Sequence, residues 1–375
     1  MEIEIKQVVT KKELKRFIDF QYRHYKGNQY WCPQVRTDEW KSLDKQKNLA
    51  FDYCEAEYWL AYRGREIVGR VAGIINYKAN KRWNEDLVRF GWIEFIDDDA
   101  VSRKLIETVE TWGRSKGMTG IHGPLGFTDM DNEGMLIEGF AELAILTGIY
   151  NYPYYVDHMQ RLGFIKAADW VQHEFSIPDQ VPEKVSRAAE LVRTRYNIRP
   201  LNATHAKDLR PYARKMFTML NDAFDILYGF AAISEAQMDA YTDQYFGFIR
   251  PEFVCILLDP EDQVVGFGIS MPNLTKALQK CNGRLFPFGF IHILRAIRKN
   301  DTVDMYLVGV RPDYHGKGVA ALIFEQLHRA YLKYGVKRTI SSNQLEENAK
   351  ALTIWKNYDH RLHSRRRCWI KHFDH

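Results

Sequence analysis

A chain of 375 residues exceeds one average domain, so two or three folding units are expected. Hydrophobic residues make up 46% and aromatics 14%, which excludes a disordered chain, and the net charge of +5 from 53 Lys+Arg against 48 Asp+Glu is too small for a nucleic-acid footprint. Five scattered cysteines (32, 54, 255, 281 and 368) form no CxxC pair, no run reaches 18 apolar residues and the N-terminus has no apolar leader, so a cytoplasmic protein in a reducing compartment is expected.

The first predicted element is a strand in IEIKQVV (3–9). Thr10 and Glu13 have the spacing of a capping box, which starts a helix in KKELKRFIDFQYRHY (11–25). Two β-rich runs then flank the turn Arg63-Gly64-Arg65, followed by the strand GWIEFI (91–96) and the helical stretch AVSRKLIETVETWGRSKG (100–117). A third helix in NYPYYVDHMQRLG (151–163) and a strand pair around FIKAADWVQHEFSI (164–177) complete this half. The two prolines of IPDQVPEKV (177–185) suit a linker.

The second half repeats the order. A hairpin turns around Asp259-Pro260, MYLVGV (305–310) is a strand, AALIFEQLHRAYLKYG (320–335) a helix, VKRTISSN (336–343) a strand, ENAKALTIWKNY (347–358) a helix and RCWIKHF (367–373) the last strand. Val68-Gly69 aligns with Val265-Gly266 at an offset of 197 and Ile96 with Val310 at 214, which gives the second copy about 17 extra residues within 272–303. The expected fold is α/β (α+β): two units, 1–180 and 181–375, each a central mixed, mostly antiparallel sheet flanked by helices.

Between the strand and the helix of the second copy lies RPDYHGKGVA (311–320). A P-loop is excluded, since six residues separate Gly309 from Gly316 and Lys317 is followed by Gly318 rather than Ser or Thr. A dinucleotide fingerprint is met in letters by Gly316, Gly318 and Ala321, but Arg311 to His315 intervene after the strand and KRTISSN has no acidic residue for a ribose. A glycine turn at a helix N-terminus still converges backbone N–H groups on an anion. This half resembles, over about 120 residues, the GNAT superfamily of acyl-CoA N-acyltransferases, whose pyrophosphate loop reads Q/R-x-x-G-x-G/A: His315, Gly318 and Ala320 take its defined places, after a V-x-P at Val310 and Pro312. His315 departs from the usual Arg or Gln. Asn348-x-x-Ala351 resembles the family's second CoA-side motif, but Trp355 stands where a thiolate-protonating Tyr is common, which leaves Tyr358 as a substitute. HGPLGF, TDMDNEGMLIEGF, YNYPYY and LGF resemble a long bacterial subgroup with two GNAT units per chain, to which ceramide-forming N-acyltransferases are similar.

The resemblance implies an acyl-CoA cosubstrate, or an acyl carrier protein whose phosphopantetheine enters the same cleft, and an amine acceptor that is lipid-like; no metal is implied. It places CoA against Val308, Val310, His315, Gly316, Lys317, Gly318, Val319, Ala320, Asn343 and Asn348, with Asp304 as general base and Tyr358 as general acid. Acetyl transfer to a small amine and a non-catalytic ligand-binding module are the alternatives, the latter favoured by Trp355 and by a first copy whose IDDDAVSR (96–103) has three aspartates and no glycine. Only the second copy is therefore expected to bind CoA.

Three other patterns remain. Asp129, Asp131, Glu133 and Gly134 copy EF-hand positions 1, 3, 5 and 6, but Phe140 stands where a bidentate Glu is required, so calcium is not expected. RLHSRRRCWIKH (361–372) is either an anion-facing segment or a solvated terminal strand. In LFPFGFIHILRAIRK, residues 290, 291, 294 and 297 share one helical face and Arg295, Arg298 and Lys299 another: either an ordinary core-facing helix, or a peripheral contact through 284–299 with the inner face of the membrane.

Overall fold

The computed structural model describes residues 2–246, 249–347 and 358–374. Two compact units are present: one comprises Met1–Trp170, Leu274–Ile293 and Ser364–His375, the other Val171–Asn273 and Leu294–His363. The segments 274–293 and 364–375 thus pack with the N-terminal unit although they lie in the C-terminal half of the sequence.

In the first unit the strands Ile3–Gln7, Cys54–Arg63, Glu66–Asn76 and Leu87–Phe95 pair antiparallel in that order. Leu87–Phe95 then runs parallel to Gly120–Gly123, whose other edge takes Trp369 to His372 of the terminal strand. The helix Asp99–Ser115 lays Val101, Leu105 and Val109 against Val88, Phe90, Ile93 and Phe95. The capping box forms as the spacing requires: Thr10 Oγ1 accepts from Glu13 N at 3.2 Å, and the Glu13 carboxylate accepts from Thr10 N at 2.8 Å. Thr10→Ala is expected to cost about 1 kcal/mol, read as a lower urea midpoint with an unchanged slope.

The arginine run of the terminal strand is neither anion-facing nor simply solvated. Arg367 binds both oxygens of Asp169 at 2.8 Å, Arg365 pairs with Glu138 at 2.9 Å and Lys371 with Glu110 at 2.9 Å. Arg366 is buried, donates to Ile149 O at 2.8 Å, and has its pKa pulled down to about 9 by burial. These cations are spent on internal partners, the ordinary condition for burying such a group.

In the second unit Arg338–Ile340 pairs antiparallel with Glu174 to Ser176 and parallel with Thr302–Val310, which is followed outward by Val264–Pro272, Val254–Leu258 and Arg199–Pro200, all antiparallel. Helices Glu183–Tyr196 and Val319–Tyr334 cover one face through Val185, Ala189, Val192, Leu322 and Ile323. Ala206–Phe224 covers the other through Leu209, Met216 and Met219. Two elements differ from the sequence reading. The expected strand pair at 164–177 is one strand, Ile165–Ser176: it contains no Gly, Pro or Asn, and its internal Asp169 pairs with Arg367 instead of making a turn. The linker stops at Pro182, the N-cap of the helix Glu183–Tyr196.

Candidate functional site

Thr302–Val310 is the strand that builds the site. It pairs with Arg338–Ile340 only over Thr302 to Asp304, with Asp304 opposite Ile340, and beyond that pair the ladder between the two strands ends. On its other edge the ladder with Val264–Pro272 slips between Ile269 and Ser270, which leaves Tyr306 as an extra residue. Such a bulge reverses the inward-outward alternation. Val303 and Met305 enter one core, Leu307 packs on the opposite face, and Val308 and Val310 return to the first.

The first unit carries the same device. Leu87–Phe95 pairs parallel over Leu87 to Arg89, its antiparallel ladder slips between Arg70 and Ala72, and Trp92 takes a φ of 43°. Its core residues are Val88 and Phe90, then Ile93 and Phe95. The pairs Gly69–Phe95 and Arg70–Glu94 map onto Gly266–Val310 and Phe267–Gly309 at offsets of 197 and 215. The second offset is one more than the 214 read from strand ends, so the later copy carries 18 extra residues rather than about 17. Phe95, not Ile96, corresponds to Val310.

Past Val310 the chain makes a single 3-10 turn, Pro312–Tyr314, and two left-handed glycines, Gly316 at φ 75° and Gly318 at φ 80°. A Cβ on Gly316 would meet nothing within 4 Å, so it is the backbone conformation that calls for glycine there. Gly318 is the N-cap of Val319–Tyr334 and supplies no capping side chain. No side chain caps the first N–H groups of that helix, of which Ala321 N turns back to Gly318 O at 2.9 Å, and the helix dipole adds positive potential at the same point. Lys317 is exposed, with its ammonium 4.8 Å from the Tyr314 ring centroid, and Arg311 ties the loop to Asp259 at 3.3 Å and Asp313 at 2.8 Å. His315 Nε2 donates to Val310 O at 2.9 Å, so its side chain braces the junction between strand and loop. Glycine backbone, bare helix end and adjacent lysine fit a pyrophosphate. Asn343 is half-buried, three residues past Ile340. Asn348, Ala351 and Trp355 lie outside the described residues.

Asp304 sits six residues before Val310, about 20 Å along an extended strand, at the point where the two parallel strands part. It is 1% exposed, and Asn273 Nδ2 donates to both its oxygens at 2.9 and 3.1 Å. Burial pushes its carboxyl up to about 7, partly opposed by the Asn273 donation. Tyr358 is buried in the core that holds Val303 and Met305. His328 Nε2 donates to Pro178 O at 2.9 Å, so its Nδ1 accepts from the Tyr358 hydroxyl at 3.4 Å. Burial raises the phenol pKa and lowers that of His328. Asp304 and Tyr358 are not hydrogen-bonded to each other, and Asn273, 31 residues upstream of Asp304, is the partner that sequence reasoning missed.

Both features are replaced in the first unit. At the head of Asp99–Ser115 the N-cap is Asp98, whose carboxylate accepts from Ala100 N at 2.8 Å and Val101 N at 3.4 Å and pairs with Arg63. That helix terminus already holds an anion. By the offset of 215, Arg89 takes the place of Asp304 and faces His122 as Asp304 faces Ile340. Arg89 is buried and donates to Gly126 O at 3.0 Å. Asp131, of the EF-hand-like stretch, accepts from Phe127 N at 2.9 Å and Thr128 N at 3.0 Å, closing its own loop.

Residues 214–357 match the model of the Acetyltransferase (GNAT) family. Protein YghO of Escherichia coli (strain K12) is 27% identical over 354 residues, covering 92% of this chain and 89% of that protein. A bacterial ceramide synthase of Caulobacter vibrioides (strain NA1000 / CB15N) is 26% identical over 291 residues, covering 76% and 74%. Among solved structures, a tandem GNAT protein from the clavulanic acid biosynthesis pathway has a TM-score of 0.59 at 10% identity, over 99% of this chain and 98% of that one. A GCN5-related N-acetyltransferase from Sphaerobacter thermophilus has 0.53 at 11%, over 99% and 95%. Residues 214–357 thus carry a GNAT acyltransferase domain, with the glycine loop and the parted strands inside it, and the chain as a whole is similar in fold to a protein with two such units.

Proposed function

We propose that the second unit transfers an acyl group from acyl-CoA to an amine, and that the acyl chain is long and the acceptor a lipid-like amine such as a sphingoid base. The observation that carries the reaction is the placement of a buried carboxyl with pKa about 7 on the same strand as an uncapped glycine cradle. Gly318, Val319 and Ala320 would hold the pyrophosphate by main-chain N–H groups, with Lys317 as a nearby cation. The pantetheine arm would run along the free edge of Met305 to Val310, whose backbone has lost its parallel neighbour and offers N–H groups for the thioester carbonyl. Asp304 accepts the proton of the ammonium. The amine nitrogen then attacks the thioester carbon, the C–S bond breaks as the carbonyl re-forms, the nitrogen sheds its second proton and the leaving thiolate takes one up, so the net yield is amide, thiol and the one proton held by Asp304. Tyr358 is the proposed proton donor to the thiolate.

The lipid reading is supported by the relative described as a bacterial ceramide synthase. An acyl carrier protein as donor would present the same phosphopantetheine to the same strand edge. Thiol release from acetyl- to palmitoyl-CoA, each with a long-chain 2-amino-1,3-diol and with small amines, separates these readings. The expected result is turnover at least about tenfold faster with the long chain and the amphiphilic amine. Turnover confined to acetyl-CoA and a small amine would overturn the lipid assignment, and no thiol release with any pair would overturn the reaction itself.

A further inference from the structure

We propose that residues 284–299 form a docking surface for a bilayer containing anionic phospholipid. The surface stands outside the acyl-transfer residues and does not depend on them. From Gln263 to Asn300 the sequence contains no Asp or Glu, while Lys276, Lys280, Arg284, Arg295, Arg298 and Lys299 are all exposed. Within that acid-free stretch the large apolar side chains are outside: Phe286 is 75% exposed, Phe288 71%, Leu294 46%, Phe290 40% and Ile291 36%.

An amphipathic helix ordinarily buries its apolar stripe. In Gly289–Arg298 the inward side is made by Gly289 and Ile293 instead, and Phe290, Ile291 and Leu294 share the exposed arc with Arg295 and Arg298. The ridge preceding the helix is held by the backbone: Phe290 N donates to Leu285 O at 2.7 Å and Ile291 N to Phe288 O at 3.1 Å. A Cβ on Gly289 would come within 1.8 Å of Arg284 O, so the loop closes tightly enough to need glycine at its base. Projecting aromatics beside cations, with no anion among them, match an interface that is apolar below and negative at its surface. A second copy is a poorer occupant, because a two-fold contact would set these cations against themselves. Among the described residues no helix is long and apolar enough to cross a membrane, so the contact proposed is peripheral.

The test is flotation of the full chain with vesicles of phosphatidylcholine alone and of phosphatidylcholine mixed with phosphatidylglycerol. Binding to the mixed vesicles should exceed binding to the neutral ones by about tenfold or more and should weaken as salt is added. The triple variant Phe286→Ser, Phe288→Ser, Phe290→Ser should lose binding to both. The triple variant Arg295→Glu, Arg298→Glu, Lys299→Glu should lose the preference for phosphatidylglycerol. Thermal melting checks that both variants are folded, and their turnover of a short acyl-CoA with a soluble amine should match the unmodified chain, which separates failure of this surface from failure of the reaction. Absence of the unmodified protein from floated mixed vesicles would overturn the proposal. So would undiminished binding by the serine variant, or a concentration-dependent dimer that the serine substitutions abolish.

Discussion

Gly318→Asp is expected to weaken CoA binding by about 10²–10³-fold, and to leave the affinity for pantetheine, which lacks the pyrophosphate, nearly unchanged. The substitution copies what the first unit does at the same place, where Asp98 fills its helix terminus with a carboxylate of its own. A unit charge about 4 Å from a pyrophosphate oxygen opposes it by roughly 4 kcal/mol at an effective dielectric near 20, which is the size of that loss. The added atom itself is tolerated, since a Cβ on Gly318 meets Val192 Cγ2 at 3.5 Å, an ordinary contact. The left-handed φ of 80° is the remaining cost, about 1 kcal/mol and eased for Asp. Gly318→Ala carries the backbone cost without the charge and should lose no more than about tenfold. Titration calorimetry with CoA and with pantetheine reads both variants. If Ala and Asp lose affinity equally, charge is not what the loop handles; if neither loses any, the pyrophosphate binds elsewhere.

The sequence reveals such local features because neighbouring residues determine them. Thr10 and Glu13 specify a cap within one turn, and Gly316 and Gly318 specify left-handed backbone within three residues. The bulge at Tyr306 is different. MYLVGV is apolar at nearly every position, so nothing in its alternation records the slip that turns Val308 and Val310 back towards the helix Val319–Tyr334. It becomes legible only through the ladder, where the offset is 215 on both sides of the slip; the strand-end alignment was one residue out because the first unit's strand stops at Phe95, before Ile96. The arginines of 365–367 show the same limit: a run that reads as exposed charge is taken up by Glu138, Asp169 and the Ile149 carbonyl, partners some 200 residues away in the chain.

Comparison of the two units also clarifies what Asp304 is for. A buried carboxyl is a liability to the fold, and the first unit has at the equivalent place Arg89 with a main-chain partner. If the second unit keeps an acid there for chemistry, removing it should make the protein slower and more stable at once. Asp304→Asn is expected to lower kcat by about 10²–10³-fold, with little change in KM for acyl-CoA. In the unmodified enzyme kcat/KM should climb with pH and level off near 7, because only the ionised carboxylate takes a proton; the Asn variant should lose that limb. The stability effect has the opposite pH sense to that of a salt-bridged carboxylate. Since the folded pKa of about 7 lies above the unfolded value near 3.9, the unfolded state sheds its proton first as pH rises. Between about pH 4 and 7 the fold is progressively penalised, by up to roughly 4 kcal/mol above 7. Asn cannot ionise and escapes the penalty while still offering an oxygen to Asn273, so the variant should melt higher than the unmodified chain at pH 8 and close to it at pH 4. A structural carboxylate predicts the reverse, a variant less stable at pH 8 with a retained pH limb. Turnover within twofold of the unmodified enzyme would remove Asp304 from the reaction whatever the melting curves show.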